Sequence, residues 1–137
     1  MEQGFKRDIA SLDSVFEFVE GFADEHGIDE ATSFAMRLAA EELFTNFVRH
    51  NRGGTESILI SITVEDERLY IRLKDFDVDA VDIEQETPPD VHLPLNERRV
   101  GGLGIHLVRS MFDSLTYDYK DRTLCVTAVK NLEDTHV

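Results

Sequence analysis

The sequence predicts an α/β (α+β) domain: a two-layer sandwich whose mixed, mostly antiparallel sheet carries helices on one face. Three observations predict it. Two segments with apolar residues at helical spacing come first. Four alternating segments follow as two pairs, each pair joined by a turn too short for a crossover. One more helical segment lies between the pairs, so the order is β-α-α-β-β-(long loop)-α-β-β.

Each element has its own signal. "GFKRDIA", Gly4 to Ala10, is read as a short first strand, and Ser11 as the N-cap of the helix after it. Leu12, Val15, Phe16, Val19, Phe22 and Ala23 recur at helical spacing, and Gly27 is placed to stop that helix. A second helix is predicted from about Asp29 to His50, rich in Ala, Leu, Glu and Met, with "NRGG" ending it. "SILISITVED" and "RLYIRLKDF" alternate and form a hairpin around "EDE". The pattern then dissolves between Asp77 and Arg99, where all three prolines lie. A loop of that length inside a compact domain is usually functional. A helix is expected from about Gly104 to Phe112, and "SLTYDYKD" and "TLCVTAVKNL" close the chain as strands turning at "DR".

The chain's 137 residues suit one domain, taken as 1–137. Fourteen basic residues face 28 acidic ones, a net charge of −14. That argues against direct nucleic-acid binding and against docking on anionic membranes. A protein partner with a basic surface is compatible with it. The lone cysteine, Cys125, excludes an internal disulfide or a cysteine zinc site and reads as a small buried residue. No signal-peptide-like or membrane-spanning run is present, so a cytoplasmic location is expected.

Three features can carry chemistry. In "RRVGGLGIHLVRSMFD", Gly101, Gly102 and Gly104 stand where a loop becomes a helix. The first N–H groups of a helix lack internal partners and favour an anion, and glycines let a phosphate approach them. A hinge or tight helix packing would use similar glycines. In "EELFTN", Glu42 and Asn46 lie one turn apart on one helix face, with Ala35 and Ala39 leaving room beside them. Such a pair can hold a hydrated Mg²⁺, divide the work as base and metal ligand, or simply be a solvated polar pair. In "KDFD", Asp75 ends a strand, either as a turn residue or as a carboxylate able to accept from an exocyclic amine.

Together, "LAAEELFTNFVRH" (Leu38 to His50), Asp75 at a strand end, the long loop and "RRVGGLGIHLVRSMFD" (Arg98 to Asp113) resemble the GHKL, or Bergerat-fold, ATPases. The similarity is strongest to their anti-sigma-factor serine/threonine kinase branch and covers nearly the whole chain. The resemblance implies ATP and Mg²⁺ as cofactors. It implies Glu42 as general base, Asn46 as the Mg²⁺ ligand and Asp75 as the acceptor of the adenine amine. Gly101, Gly102 and Gly104 would meet the phosphates, beneath a lid spanning 77–100. Arg98 and Arg99 would reach the γ-phosphate or stand as two solvated arginines, Thr127 would lie near adenine or be a plain strand threonine, and His50 would pack near the helix end. The implied partners are a small protein antagonist with a phosphorylatable Ser or Thr, a sigma factor, and a second copy of the chain in a homodimer.

The motif departs from the family at one place. The family pattern Asp-x-Gly-x-Gly/Pro reads "DFDVD" here, with Asp77 and Asp79 in place of small residues. Aspartate tolerates left-handed backbone angles, so the turn can survive. Its charge would still oppose ATP wherever water does not screen it. The alternative reading is therefore a non-catalytic partner-binding, anti-sigma module with a degenerate adenine pocket. A nucleotide-binding domain detached from a histidine kinase is a third reading, weakened by the lack of a dimerisation helix pair.

Overall fold

The computed structural model describes residues 1–79 and 102–132. Five strands form one sheet: β1 (Glu2–Lys6), β2 (Ser57–Glu65), β3 (Arg68–Asp75), β4 (Ser114–Lys120) and β5 (Thr123–Asn131), in spatial order β1-β2-β3-β5-β4. Among the described residues all four pairings are antiparallel, so the expected fold class holds there without its mixed character. Helices α1 (Leu12–Glu25), α2 (Glu30–His50) and α3 (Gly102–Met111) supply the second layer.

Alternation explains why the helices sit on one face. Ile58, Ile60 and Ile62 of β2 are fully buried, as are Leu69, Ile71 and Leu73 of β3. Register sets Ile60 against Leu73, and Leu73 against Val126 of β5, so one apolar face runs across the sheet. Onto it pack Val15, Phe18, Val19 and Phe22 of α1, Met36, Leu43, Phe44 and Phe47 of α2, and Val108 of α3. Phe18 belongs to this core, edge-on to Phe5 at 5.5 Å, whereas the expected Phe16 is only half-buried. Cys125 falls on the opposite sheet face and is half-exposed, not buried as expected, because its neighbours Leu124 and Val126 take the core side.

Local chemistry fixes the helix ends. Asp29 caps α2 by accepting from the Thr32 N–H at 3.0 Å. At the end of α1, Gly27 takes φ +61° while the Ile28 N–H donates to the Ala23 carbonyl at 2.9 Å, a Schellman stop. Ser11 is not the cap expected: its backbone is already helical, and its hydroxyl donates to the Lys6 carbonyl at 2.9 Å. Asp8 instead caps a 3₁₀ turn (Ile9–Ser11) by accepting from the Ala10 N–H, which ends β1 at Lys6 rather than Ala10. Helix α3 begins two residues before the expected Gly104. Both hairpins turn on two residues of positive φ, Asp66-Glu67 and Asp121-Arg122, the twist that matches antiparallel strands. The lid expected over 77–100 is described only at its start: residues 77–79 are anchored to the Arg52–Gly54 loop, and the rest lies outside the described residues. Among the described residues no helix is long and apolar enough to cross a membrane.

Candidate functional site

Helix α2 carries the polar pair that the sequence singles out. Its apolar stripe of Met36, Ala40, Leu43, Phe44 and Phe47 is buried, which leaves Glu42 and Asn46 half-buried beside it. Ala35 and Ala39, on the same side as that pair, are themselves buried, so the room they leave is filled. Helix α3 packs on α2, and its first turn meets Glu42: a Cβ at Gly104 would land on the Glu42 carboxylate. Gly104 is therefore bare for the sake of a side chain on another helix. Its helix presents N–H groups without intrahelical partners at the same end.

That environment changes Glu42. Burial raises its pKa above the ordinary carboxylate value, the neighbouring Glu41 raises it further, and Arg49 opposes both. A carboxylate shifted this way is a stronger base than an exposed one. Glu42 and Asn46 line a groove of about 250 Å³ with Ile9, Leu12, Thr45 and Arg49. His50 is exposed on that groove rather than packed at the helix end.

Asp75 is the last residue of β3 and is fully buried on the core side. Its Oδ1 accepts from Nη2 of Arg7, and its Oδ2 accepts from Nδ2 of Asn51, the C-cap of α2, at 2.7 Å. Arg7 is held in turn by the Thr55 carbonyl, 2.9 Å from its Nε. Gly54, at φ +91°, lies so close that a Cβ there would strike the Arg7 guanidinium. Thus "NRGG" does more than end a helix: it admits a cation to a buried carboxylate. Arg7 and Asn51 are the residues that motif reading misses. Their one sequence signal is a basic residue just after the first strand and an amide just after α2.

The remaining expected residues divide. Gly102 and Gly104 stand in the first turn of α3. Gly101, Arg98 and Arg99 lie outside the described residues. Thr127 is not brought to the site. It pairs with Arg72 and Thr116, and alternation puts it on the face away from the helices, with the Cys125 Sγ 3.9 Å from its hydroxyl. Leu124 is the β5 residue opposite Asp75. Asp77 does adopt the left-handed angles that the family's glycine would, with φ +58°.

The donor set suits a hydrated Mg²⁺ and a nucleotide. A carboxylate and an amide oxygen one turn apart are hard oxygen ligands. Asn46 lines the groove beside Glu42, whereas Asp75 and Asn51 are not among the groove's lining residues. Among the described residues, no group of three or more His, Cys, Asp or Glu is placed to hold a metal ion.

Comparison with known proteins agrees with this fold. The serine-protein kinase RsbW of Listeria monocytogenes serovar 1/2a is 27% identical over 126 residues, covering 87% of this chain and 78% of that protein. The RsbW of Listeria innocua serovar 6a is 26% identical over the same span. Among solved structures, the histidine kinase domain of the Erythrobacter litoralis EL346 blue-light activated histidine kinase aligns with a TM-score of 0.58 at 14% identity. That alignment covers 92% of this chain and 61% of that one, so the chain spans less than two thirds of the neighbour's length. The Acinetobacter baumannii histidine kinase AdeS aligns with a TM-score of 0.55, covering 96% of this chain and 68% of that one. The family model for the histidine kinase-like ATPase domain matches residues 5–130, from the end of β1 to the end of β5 and across every site element described above. The chain belongs to the histidine kinase-like ATPase domain family.

Proposed function

We propose that this protein is an ATP-dependent serine/threonine protein kinase and anti-sigma factor, acting by partner switching inside the cell. The observation that carries the reading is the Glu42 carboxylate, raised in basicity by burial, set against side-chain-free Gly104 and one turn from Asn46. The likeness to two proteins named serine-protein kinases supports it.

In this reading Glu42 takes the proton from a Ser or Thr hydroxyl of a small protein antagonist. That oxygen forms the new bond to the γ-phosphorus of ATP, and the bond to the β–γ bridging oxygen breaks, releasing ADP. Asn46, aided by the phosphates, would hold Mg²⁺, which supplies charge neutralisation on the transferring group. The first turn of α3 binds phosphate oxygens through its N–H groups, and Asp75 orients the base by accepting from its amine. Phosphorylation of the antagonist would free this chain for a sigma factor, and the net charge of −14 suits a basic partner surface. A homodimer is part of the same proposal.

The test is calorimetric titration with ATP, with and without Mg²⁺, followed by γ-phosphate transfer to the antagonist. Micromolar, Mg²⁺-dependent binding is expected, and no binding at millimolar ATP overturns the kinase reading. One observation favours the alternative of a partner-binding module: both oxygens of Asp75 are already engaged, by Arg7 and Asn51. Each oxygen keeps a second lone pair, so acceptance from a base amine is still open.

A further inference from the structure

The "DFDVD" run raises a physical problem. Asp75, Asp77 and Asp79 place three carboxylates within five residues at the exit of β3, where the proposed site must take a polyanion. Tertiary structure answers with two arginines distant in sequence. Arg7 takes Asp75. Arg122, at the tip of the β4–β5 turn, takes the other two. Its Nε donates to Oδ1 of Asp77 at 2.7 Å, and its Nη2 reaches the Asp77 carbonyl and Oδ1 of Asp79, each at 3.3 Å.

The backbone beneath these contacts is already pinned. Val78 is fully buried; its N–H donates to the Arg122 carbonyl at 2.9 Å, and its carbonyl accepts from the Tyr119 hydroxyl at 2.8 Å. On the other side, the Gly54 N–H donates to the Asp77 carbonyl and the Asp79 N–H to the Arg52 carbonyl, both at 2.8 Å. These backbone bonds hold the segment, and the Arg122 side chain braces the same turn from outside. What that side chain adds is charge neutralisation and a fixed left-handed turn at Asp77.

We infer that Arg122 is a positioning residue for nucleotide binding: by bridging Asp77 and Asp79 it makes a motif that lacks its glycine usable for an adenine nucleotide. The inference rests on the nucleotide-binding reading above. Arg122 supplies the positive charge that offsets the pair of aspartates. The three side chains are each more than half exposed, so the effect is modest, about fivefold in an equilibrium.

Hydrogen exchange and Mg-ATP calorimetry on the full chain test it. Arg122→Ala should speed exchange of the Gly54 and Asp79 amides about fivefold, leave the Ile60 and Ile71 amides unchanged, and weaken Mg-ATP binding about fivefold. Arg122→Lys keeps the charge but loses the planar fork. It should retain most of the affinity while still loosening the turn. Asp77→Gly in the Arg122→Ala background should recover affinity. Unchanged exchange at Gly54 and Asp79 in Arg122→Ala overturns the inference, whatever the affinity does. Faster exchange in a protein whose wild type binds no ATP leaves the clamp standing and sinks the kinase reading instead.

Discussion

Gly104→Ala separates the site from the fold. The three atoms nearest to a Cβ built at Gly104 all belong to the Glu42 carboxylate, the far end of a flexible side chain. Relief requires that side chain to leave its rotamer, which costs about 0.5–1.5 kcal/mol. Alanine in place of glycine in a helix returns about 1 kcal/mol. The two nearly cancel, so urea denaturation should place the variant within about 1 kcal/mol of wild type. Phosphoryl transfer should respond differently, because displacing a general base by about 1 Å costs on the order of 10²-fold. Denaturation and γ-phosphate transfer from labelled ATP, measured on the same preparations, check both halves. Wild-type transfer rates in Gly104→Ala would refute the link between this glycine and Glu42. A loss above about 2 kcal/mol would show that something stiffer than a carboxylate fills the space.

Three further outcomes follow from the same geometry. Arg7→Ala strips the cation from fully buried Asp75, and breaking a buried pair in this way should cost about 3–5 kcal/mol; a denaturation midpoint equal to wild type would contradict the ion pair. Glu42→Gln should retain ATP binding and slow transfer about 10²-fold or more. It should also raise thermal stability at neutral pH. With its folded pKa raised by burial, Glu42 penalises the folded state increasingly as pH rises from the ordinary carboxylate pKa to that raised value and fully above it, so the gain should vanish below the ordinary pKa. Melting curves across that range check the sign, and a gain that grows toward acid would be the wrong one. Asn46→Ala should remove the Mg²⁺ dependence of nucleotide binding in calorimetry, and an unchanged dependence removes Asn46 from the metal site.

Much of the site was legible because helices have a fixed period. Glu42 and Asn46 share a face whatever surrounds α2, and Ala35 and Ala39 follow by the same arithmetic. Asp29 and Gly27 mark helix ends through groups one turn away. Asp75 was left open between a turn residue and an acceptor; the structure continues the alternation of Leu69, Ile71 and Leu73 through it and puts it on the core side. The Asp8 cap was missed because Asp and Ser both cap, and only the backbone angles chose between them.

By itself, then, the sequence determined the elements, the antiparallel hairpins and the pairing of Glu42 with Asn46, since each depends on residues within a turn or two. Tertiary structure alone decided what meets across longer separations. Sheet register turned Thr127 and Cys125 to the outer face and set Leu124 opposite Asp75. Helix packing brought Gly104 onto Glu42, and chain closure delivered Arg7 to Asp75 and Arg122 to Asp77 and Asp79. The pairs that Arg7 and Arg122 make with these aspartates lie 43 to 68 residues apart, beyond the reach of any local period. A charge is neutralised only by what the fold carries within a few ångströms of it, and that distance is not written along the chain.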